Sequence, residues 1–357
     1  RWTQPVCCAA LATLRQMVRA LSKRLLRQLL MVVSVVMLAA CGRSAPPVYQ
    51  AEFAAFGTRI SVSVRSENPE AAEAALAGLG LQFQRMHREW HPWQDGAVTA
   101  LNAALPASAE GGDPVPLSAD LMTLIERSQQ IEMLSDGAFN AAIGRLVGLW
   151  GFHTSRYPIT DPPPVPARVQ ALATQRPSSL DVFISDDHAR TDNPAVSFDF
   201  SGIAKGLAAE QACAHLEAAN LSDALINVGG DVMVCGPAST PWRVAVANPS
   251  EADLTSAVAT VLSVDSAMAV FTSGQYHRFG EWQGQRYAHI LDPQTGFPLP
   301  HVMQATVIDP DPLLADAAAT ALVVAGPDRW RTLAAQMGIA SAIVVDEAGE
   351  VWQWPED

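Results

Sequence analysis

Apolar and polar positions along the chain follow two rhythms. From 51 to 64 they alternate with a period of two, which predicts a strand broken at Gly57. Across 69–90 apolar residues recur at helical spacing, and 118–134 predicts a second helix, capped by Ser118 with Leu121, Leu124 and Ile131 on one face. Residues 158–179 are proline-rich and predict a surface loop carrying a short helix near 167–173. Strand-like segments at 182–185, 196–200, 224–228, 242–247 and 258–264 then alternate with helical stretches. The pattern is mixed α/β, with no internal repeat and no clean linker, so 50–357 is expected to form one large body, with two lobes as the alternative.

The amino-terminal pattern is different. A basic stretch precedes an apolar run at 29–40, too short to span a bilayer comfortably, and the run ends at Cys41. That is the layout of a secretory leader. Leu38-Ala39-Ala40-Cys41-Gly42 also resembles a bacterial lipobox, in which the cysteine thiol takes the lipid. The expected organisation is a leader over 1–40 starting at Met17, then a lipidated Cys41 and a tether to residue 49. Residues 1–16 read as an over-long translation start, and a signal anchor with an incidental cysteine is the competing reading.

Composition narrows the partners. The chain has 357 residues, 49% of them hydrophobic and 17% charged, which excludes a disordered tail, a coiled coil and a small disulfide scaffold. Its net charge is −13, yet six of its 23 basic residues lie in the first forty; the remaining 17 face 36 acids. Such a surface repels nucleic-acid backbones. A phosphate ligand therefore has to be held by backbone amides, a few placed cations or a metal. Beyond Cys41 only Cys213 and Cys235 remain. They could pair in an oxidising compartment, but two small buried hydrophobes are the expectation.

Five runs carry candidate chemistry. In Phe198-Asp199-Phe200-Ser201-Gly202-Ile203-Ala204-Lys205-Gly206 a strand is expected to give way to a helix whose free amides attract phosphate. Lys205 is the only lysine beyond residue 40, a compact ammonium in a chain that otherwise uses arginine. Asn227-Val228-Gly229-Gly230-Asp231 offers paired glycines and an acceptor carboxylate, and Thr272-Ser273-Gly274 is a second polar turn after a strand. His289 leads into the turn Asp292-Pro293-Gln294-Thr295-Gly296. In the small-residue helix 315–321, Asp316 and Thr320 stand four apart and share a face, half of a hard-oxygen site suited to Mg2+; a capping or packing Asp is the alternative.

In order, FGT (56–58), SDGAFN (135–140), LWGF (149–152), SGIAKG (201–206), NVGGD (227–231), TSG (272–274), HILDPQTGFP (289–298) and ADAAATA (315–321) resemble the FAD:protein FMN transferases, the ApbE family. The resemblance implies an α/β fold with a T-fold-like core and FAD in a cleft between lobes. It implies cleavage of the FAD pyrophosphate, with FMN placed on a Thr or Ser hydroxyl and AMP released. Carried over, it gives Mg2+ to Asp316, Thr320 and the main-chain carbonyl of Ala204, and sets Lys205 beside the pyrophosphate. Phe56, Gly137, Ala138, Phe139, Gly202, Asn227, Gly229, Gly230, Asp231, Thr272 and Ser273 line the FAD cleft, with Trp93, in preference to Trp90, stacked on the flavin. His289 handles the proton of the acceptor hydroxyl.

The chain departs from the family pattern at Phe56 for Met, Asn140 for Asp, Ala288 for the first His of a pair, and Gln275 for Asp. The implied partner is an exported or membrane flavoprotein with a D-x-x-x-[ST]-G-A-[ST] segment, such as a subunit of a sodium-translocating quinone reductase or Rnf pump, or a periplasmic reductase. The implied location is the periplasmic face of a bacterial membrane, reached by the lipid. A Mg2+-dependent FAD pyrophosphatase and a non-catalytic FAD-binding lipoprotein are the alternatives.

Overall fold

Phe56 (φ 54°) and Gly57 (φ 68°) both adopt left-handed backbone and turn the first alternating segment back on itself. The result is a hairpin of β1 (Val48–Ala55) and β2 (Thr58–Arg65) in the computed structural model, which describes residues 46–248, 258–276 and 278–356. The leader and Cys41 lie outside those residues, and β1 begins at Val48, within the span expected for the tether.

Helix α1 (Pro69–Glu89) starts where Asn68 accepts from the Ala71 N–H at 3.1 Å, with Pro69 in the first turn, where a missing N–H costs nothing. Leu76, Leu79, Phe83 and Met86, spaced three and four apart, are its buried face. Helix α2 (Ala97–Ala109), which the hydrophobic pattern did not announce, is alanine-rich and buries Val98, Leu101 and Leu105. A short β3 (Val115–Pro116) precedes α3 (Ala119–Leu134), capped by Ser118 as expected. Helices α4 (Gly144–Leu149) and α5 (Pro166–Ala173) follow, the latter within the proline-rich segment. Strands β4 (Val182–Ser185) and β5 (His188–Thr191) join β3 in a small sheet.

Residues 196–200 were expected to be a strand but belong to no sheet. Their backbone is instead tied to a loop and a side chain: Ser197 N donates to Ala142 O, Asp199 N to Ala141 O, and Asn102 both donates to and accepts from Phe198. The apolar alternation is real, since Val196, Phe198 and Phe200 are buried, but an asparagine on α2 supplies the pairing a neighbouring strand would give.

The chain then forms α6 (Ala204–Ala218), β6 (Ala224–Val228), β7 (Asp231–Val234), β8 (Trp242–Ala247), β9 (Val258–Val264), β10 (Met268–Gly274), β11 (Phe279–Trp282), β12 (Gln285–Ala288), β13 (Met303–Asp309), α7 (Pro312–Met337), β14 (Ser341–Asp346) and β15 (Val351–Trp354). The main sheet runs β1-β2-β6-β7-β10-β13-β14-β15, every neighbouring pair antiparallel. On one face Ile60, Val62 and Val64 of β2 join the cluster that contains the buried sides of α1, α6 and α7. On the other, Val232, Val234 and Val270 pack with Val244 and Val246 of the β8–β9 hairpin. Burial of each such side chain favours the fold by about 1.5–3 kcal/mol. The mixed α/β expectation therefore holds.

The expectation for Cys213 and Cys235 does not hold: they form a disulfide joining α6 to the end of β7, with Cα atoms 5.1 Å apart. Helix α7 carries a break at Gly326 (φ 73°) and Pro327. Pro327 has no N–H for the Val323 carbonyl, and His301 Nε2 donates to that oxygen at 2.8 Å instead.

Candidate functional site

Helices α6 and α7 cross where α6 has no side chain. A Cβ on Gly206 would lie 2.4 Å from the Pro312 carbonyl oxygen, so only glycine permits this approach. Asp311 caps α7 by accepting from Leu313 and Leu314 N–H, and one turn further the Asp316 carboxylate meets α6, accepting from Gly206 N at 3.0 Å. The alanines that flank it on α7, Ala315, Ala317 and Ala319, are fully buried and keep the helix close to β10 and β13.

Lys205 stands at the same crossing. Its ammonium pairs with Asp231 Oδ2 and lies 3.9 Å from Asp316 Oδ1. Burial works against the charge on Lys205, but Asp231 and Asp316 outweigh it and hold the pKa above that of free lysine. For Asp316 burial dominates and, with Asp231 beside it, pushes the carboxyl up to about 6 against the pull of Lys205 and the Gly206 and Lys205 amides. Two nearly buried carboxylates thus share one ammonium, which leaves the cluster one negative charge in excess when all three are ionised. Asp231 Oδ1 also accepts from Thr272 N at 2.7 Å, tying the start of β7 to β10.

One turn beyond Asp316, Thr320 Oγ1 is 2.8 Å from Ser273 Oγ, and Thr272 Oγ1 is 2.9 Å from Thr306 Oγ1. A Cβ on Gly202 would sit 3.6 Å from Thr320 Oγ1 and 3.2 Å from the Phe139 ring, so glycine keeps a space open beside Thr320. Among the described residues no cluster of three His, Cys, Asp or Glu could hold a metal. One carboxylate with hydroxyl and main-chain oxygens around an open space instead fits a hard cation that keeps waters and takes ligand phosphate oxygens, the habit of Mg2+. Ala204, whose main-chain carbonyl the family resemblance assigns to the metal, is the first residue of α6, at the same crossing.

The glycine turns converge here as well. A Cβ on Gly229 would strike Thr58 Oγ1 at 2.3 Å, which sets the β6–β7 turn against the β1–β2 turn; Asn227 Oδ1 accepts from Gly230 N. Gly137, with φ 75°, lets the chain leave α3, and Phe139 N donates to Ser135 Oγ; the Phe139 ring lies against Gly202. Asn140 donates to Pro177 O and accepts from Ala142 N, a pairing that an ionised Asp could not complete.

The two tryptophans separate clearly. Trp90 is 3% exposed and stacks on Phe56, whose own N–H donates to His87; Phe56 thus packs inward at the turn. Trp93 is 36% exposed and stacks on His153 at 5.2 Å. His153 in turn bonds Asp199, which accepts from Ser201 N and Oγ at the SGIAKG turn. Of the two, Trp93 is the exposed ring.

His289 follows directly on β12, and its Nδ1 lies 2.9 Å from the Arg278 carbonyl oxygen. A carbonyl only accepts, so Nδ1 carries the proton and Nε2 is the basic nitrogen. Burial, reinforced by the Arg278 charge, lowers the ring pKa to about 4 and keeps it neutral near pH 7. Ala288 pairs with Phe279 in the β11–β12 hairpin.

Sequence reasoning missed Arg278, His153 and Asp199 as members of this neighbourhood. The one available signal was a cation between the TSG and HILDP runs of an acidic chain; the rest depends on contacts across long separations.

The family profile described as the ApbE family matches residues 56–344. A FAD:protein FMN transferase of Rhodobacter capsulatus is 37% identical over 309 residues, which cover 85% of this chain and 56% of that one. The chain therefore spans about half the length of that relative. A FAD:protein FMN transferase of Escherichia coli K12 is 31% identical, covering 68% of this chain and 69% of its own. The crystal structure of the ApbE protein from Thermotoga maritima superposes with a TM-score of 0.75 at 27% identity, over 86% of this chain and 97% of that one.

Proposed function

The chain belongs to the ApbE family, and from that premise we propose that it is a FAD:protein FMN transferase, splitting FAD and placing FMN on a protein hydroxyl. The observation that carries the reading is the Lys205, Asp231 and Asp316 cluster at the crossing of α6 and α7, with Thr320 and Ser273 one turn away.

In the proposed reaction a Thr or Ser oxygen of the acceptor attacks the phosphorus on the FMN side of the pyrophosphate. The phosphoanhydride bond to the AMP phosphate breaks, and AMP leaves with that bridging oxygen. His289 Nε2 takes the hydroxyl proton as the new ester bond forms. Lys205 holds the pyrophosphate in line, while Trp93 carries the flavin ring. Asp316, Thr320 and the Ala204 carbonyl would hold Mg2+, which when bound supplies charge neutralisation at the phosphate oxygens. With the family goes the rest of the proposal: an acceptor carrying D-x-x-x-[ST]-G-A-[ST], and attachment through Cys41 to the periplasmic face of a membrane. No helix among the described residues is long and apolar enough to cross one.

Incubation with FAD, Mg2+ and a protein bearing the acceptor segment, read by intact mass, tests the reading. An acceptor heavier by FMN less water, with AMP released, is expected. Free FMN with an unmodified acceptor would make the protein a pyrophosphatase, and intact FAD would contradict both.

A further inference from the structure

The charge at the α6–α7 crossing is incompletely balanced for the ligand proposed to bind there. Lys205 is already committed to two carboxylates, and a pyrophosphate would add two more negative charges to a site with one in excess. Metal apart, another cation is needed. Several arginines are committed elsewhere: Arg65 pairs with Asp223, Arg85 with Asp120 and Arg127 with Asp311. The guanidinium of Arg278 makes no ion pair or hydrogen bond among the described residues. Its backbone is pinned to the site through the carbonyl that accepts from His289, and its Nη2 lies 3.8 Å from where a Cβ of Gly57 would be, against the turn that abuts Gly229. Its charge is felt at both His289 and Lys205.

We infer that the Arg278 guanidinium is a recognition group for the pyrophosphate of FAD, clamping oxygens that Lys205, already shared between Asp231 and Asp316, cannot neutralise. A planar fork suits two phosphate oxygens better than an ammonium does. The cation is exposed and unpaired among the described residues, so none of their ion pairs has to be broken when the ligand arrives.

The inference rests on the transferase reading, and the test separates the two. Riboflavin has the ring of FAD but no phosphate, so the pair isolates the pyrophosphate contact. Both are titrated in EDTA, where turnover is absent, against wild type, Arg278→Ala and Arg278→Lys, by flavin fluorescence. Arg278→Ala keeps the carbonyl that orients His289. It is expected to weaken FAD roughly 10- to 100-fold, the value of hydrogen bonds to a charged group, while leaving riboflavin unchanged. Arg278→Lys should recover part of the loss. Arg278→Ala binding FAD as tightly as wild type overturns the inference and leaves the transferase reading standing. Wild type failing to bind FAD overturns both, and equal losses for FAD and riboflavin reduce Arg278 to a structural residue.

Discussion

Gly206 and Asp316 are joined across two helices: the Gly206 N–H donates to Asp316 Oδ2 at 3.0 Å, at a point where a Cβ on Gly206 would overlap the Pro312 carbonyl. The carboxylate is therefore oriented by a contact that exists only because α6 lacks a side chain there. Its second oxygen remains on the Lys205 side, where the proposed chemistry needs it.

Gly206→Ala should displace α7 rather than merely crowd it, because the nearest atoms are backbone. Overpacking of this kind costs about 1–3 kcal/mol. Thermal unfolding should report that loss, and the Mg2+ concentration for half-maximal FMN transfer should rise. Wild-type Mg2+ dependence in a folded variant would separate the helix crossing from metal binding.

Reduction of Cys213–Cys235 tests a different constraint. The bridge joins the helix whose first turn carries Lys205 to the strand that starts at Asp231, across 22 residues of sequence. Closing a loop of that length is worth about 3 kcal/mol through the unfolded state. Cys213→Ser with Cys235→Ser should lower the unfolding free energy by about that amount in denaturant titrations. An unchanged midpoint with and without reductant would show that the bridge contributes nothing.

His289 must be neutral to accept a proton, and its pKa is lowered to about 4, by burial first and the Arg278 charge second. The limb that belongs to His289 should accordingly lie near pH 4, below the one near 6 set by the Asp316 carboxyl, which must ionise to hold Mg2+. His289→Ala should slow transfer about 10²–10⁴-fold while FAD affinity is retained. A limb near pH 4 that persists unchanged in His289→Ala would assign it to another group.

Trp93 and Trp90 should fail in opposite ways. Trp93→Ala removes an exposed ring and should weaken riboflavin binding with little change in stability. Trp90→Ala empties a core position and should cost about 3–5 kcal/mol of stability. Flavin titration and thermal melts of the two variants distinguish these outcomes.

How far the sequence could carry this picture depended on distance along the chain. Asp316 and Thr320 were legible because helical periodicity alone puts them on one face, and Lys205 because a single lysine stands out in an arginine-using chain. The hairpin at Phe56–Gly57 was half legible: alternation and a glycine marked the turn, but nothing local announced two left-handed residues. Residues 196–200 had a strand's pattern but took a loop backbone and the Asn102 side chain as partners, the latter 96 positions away from Phe198. Cys213 pairs with Cys235 because α6 and β7 pack side by side, a relation of tertiary structure that cysteine counting leaves open. The Arg278 carbonyl that selects the His289 tautomer belongs to the same class, a backbone atom eleven residues away acting through space.

The most direct test of the metal-assisted transfer site compares wild type with Asp316→Ala at saturating Mg2+, measuring AMP release and acceptor mass in the same reaction. Wild type should release one AMP for each FMN attached, and Asp316→Ala, folded by thermal melt, should do neither. Asp316→Ala transferring FMN at the wild-type rate would contradict the account.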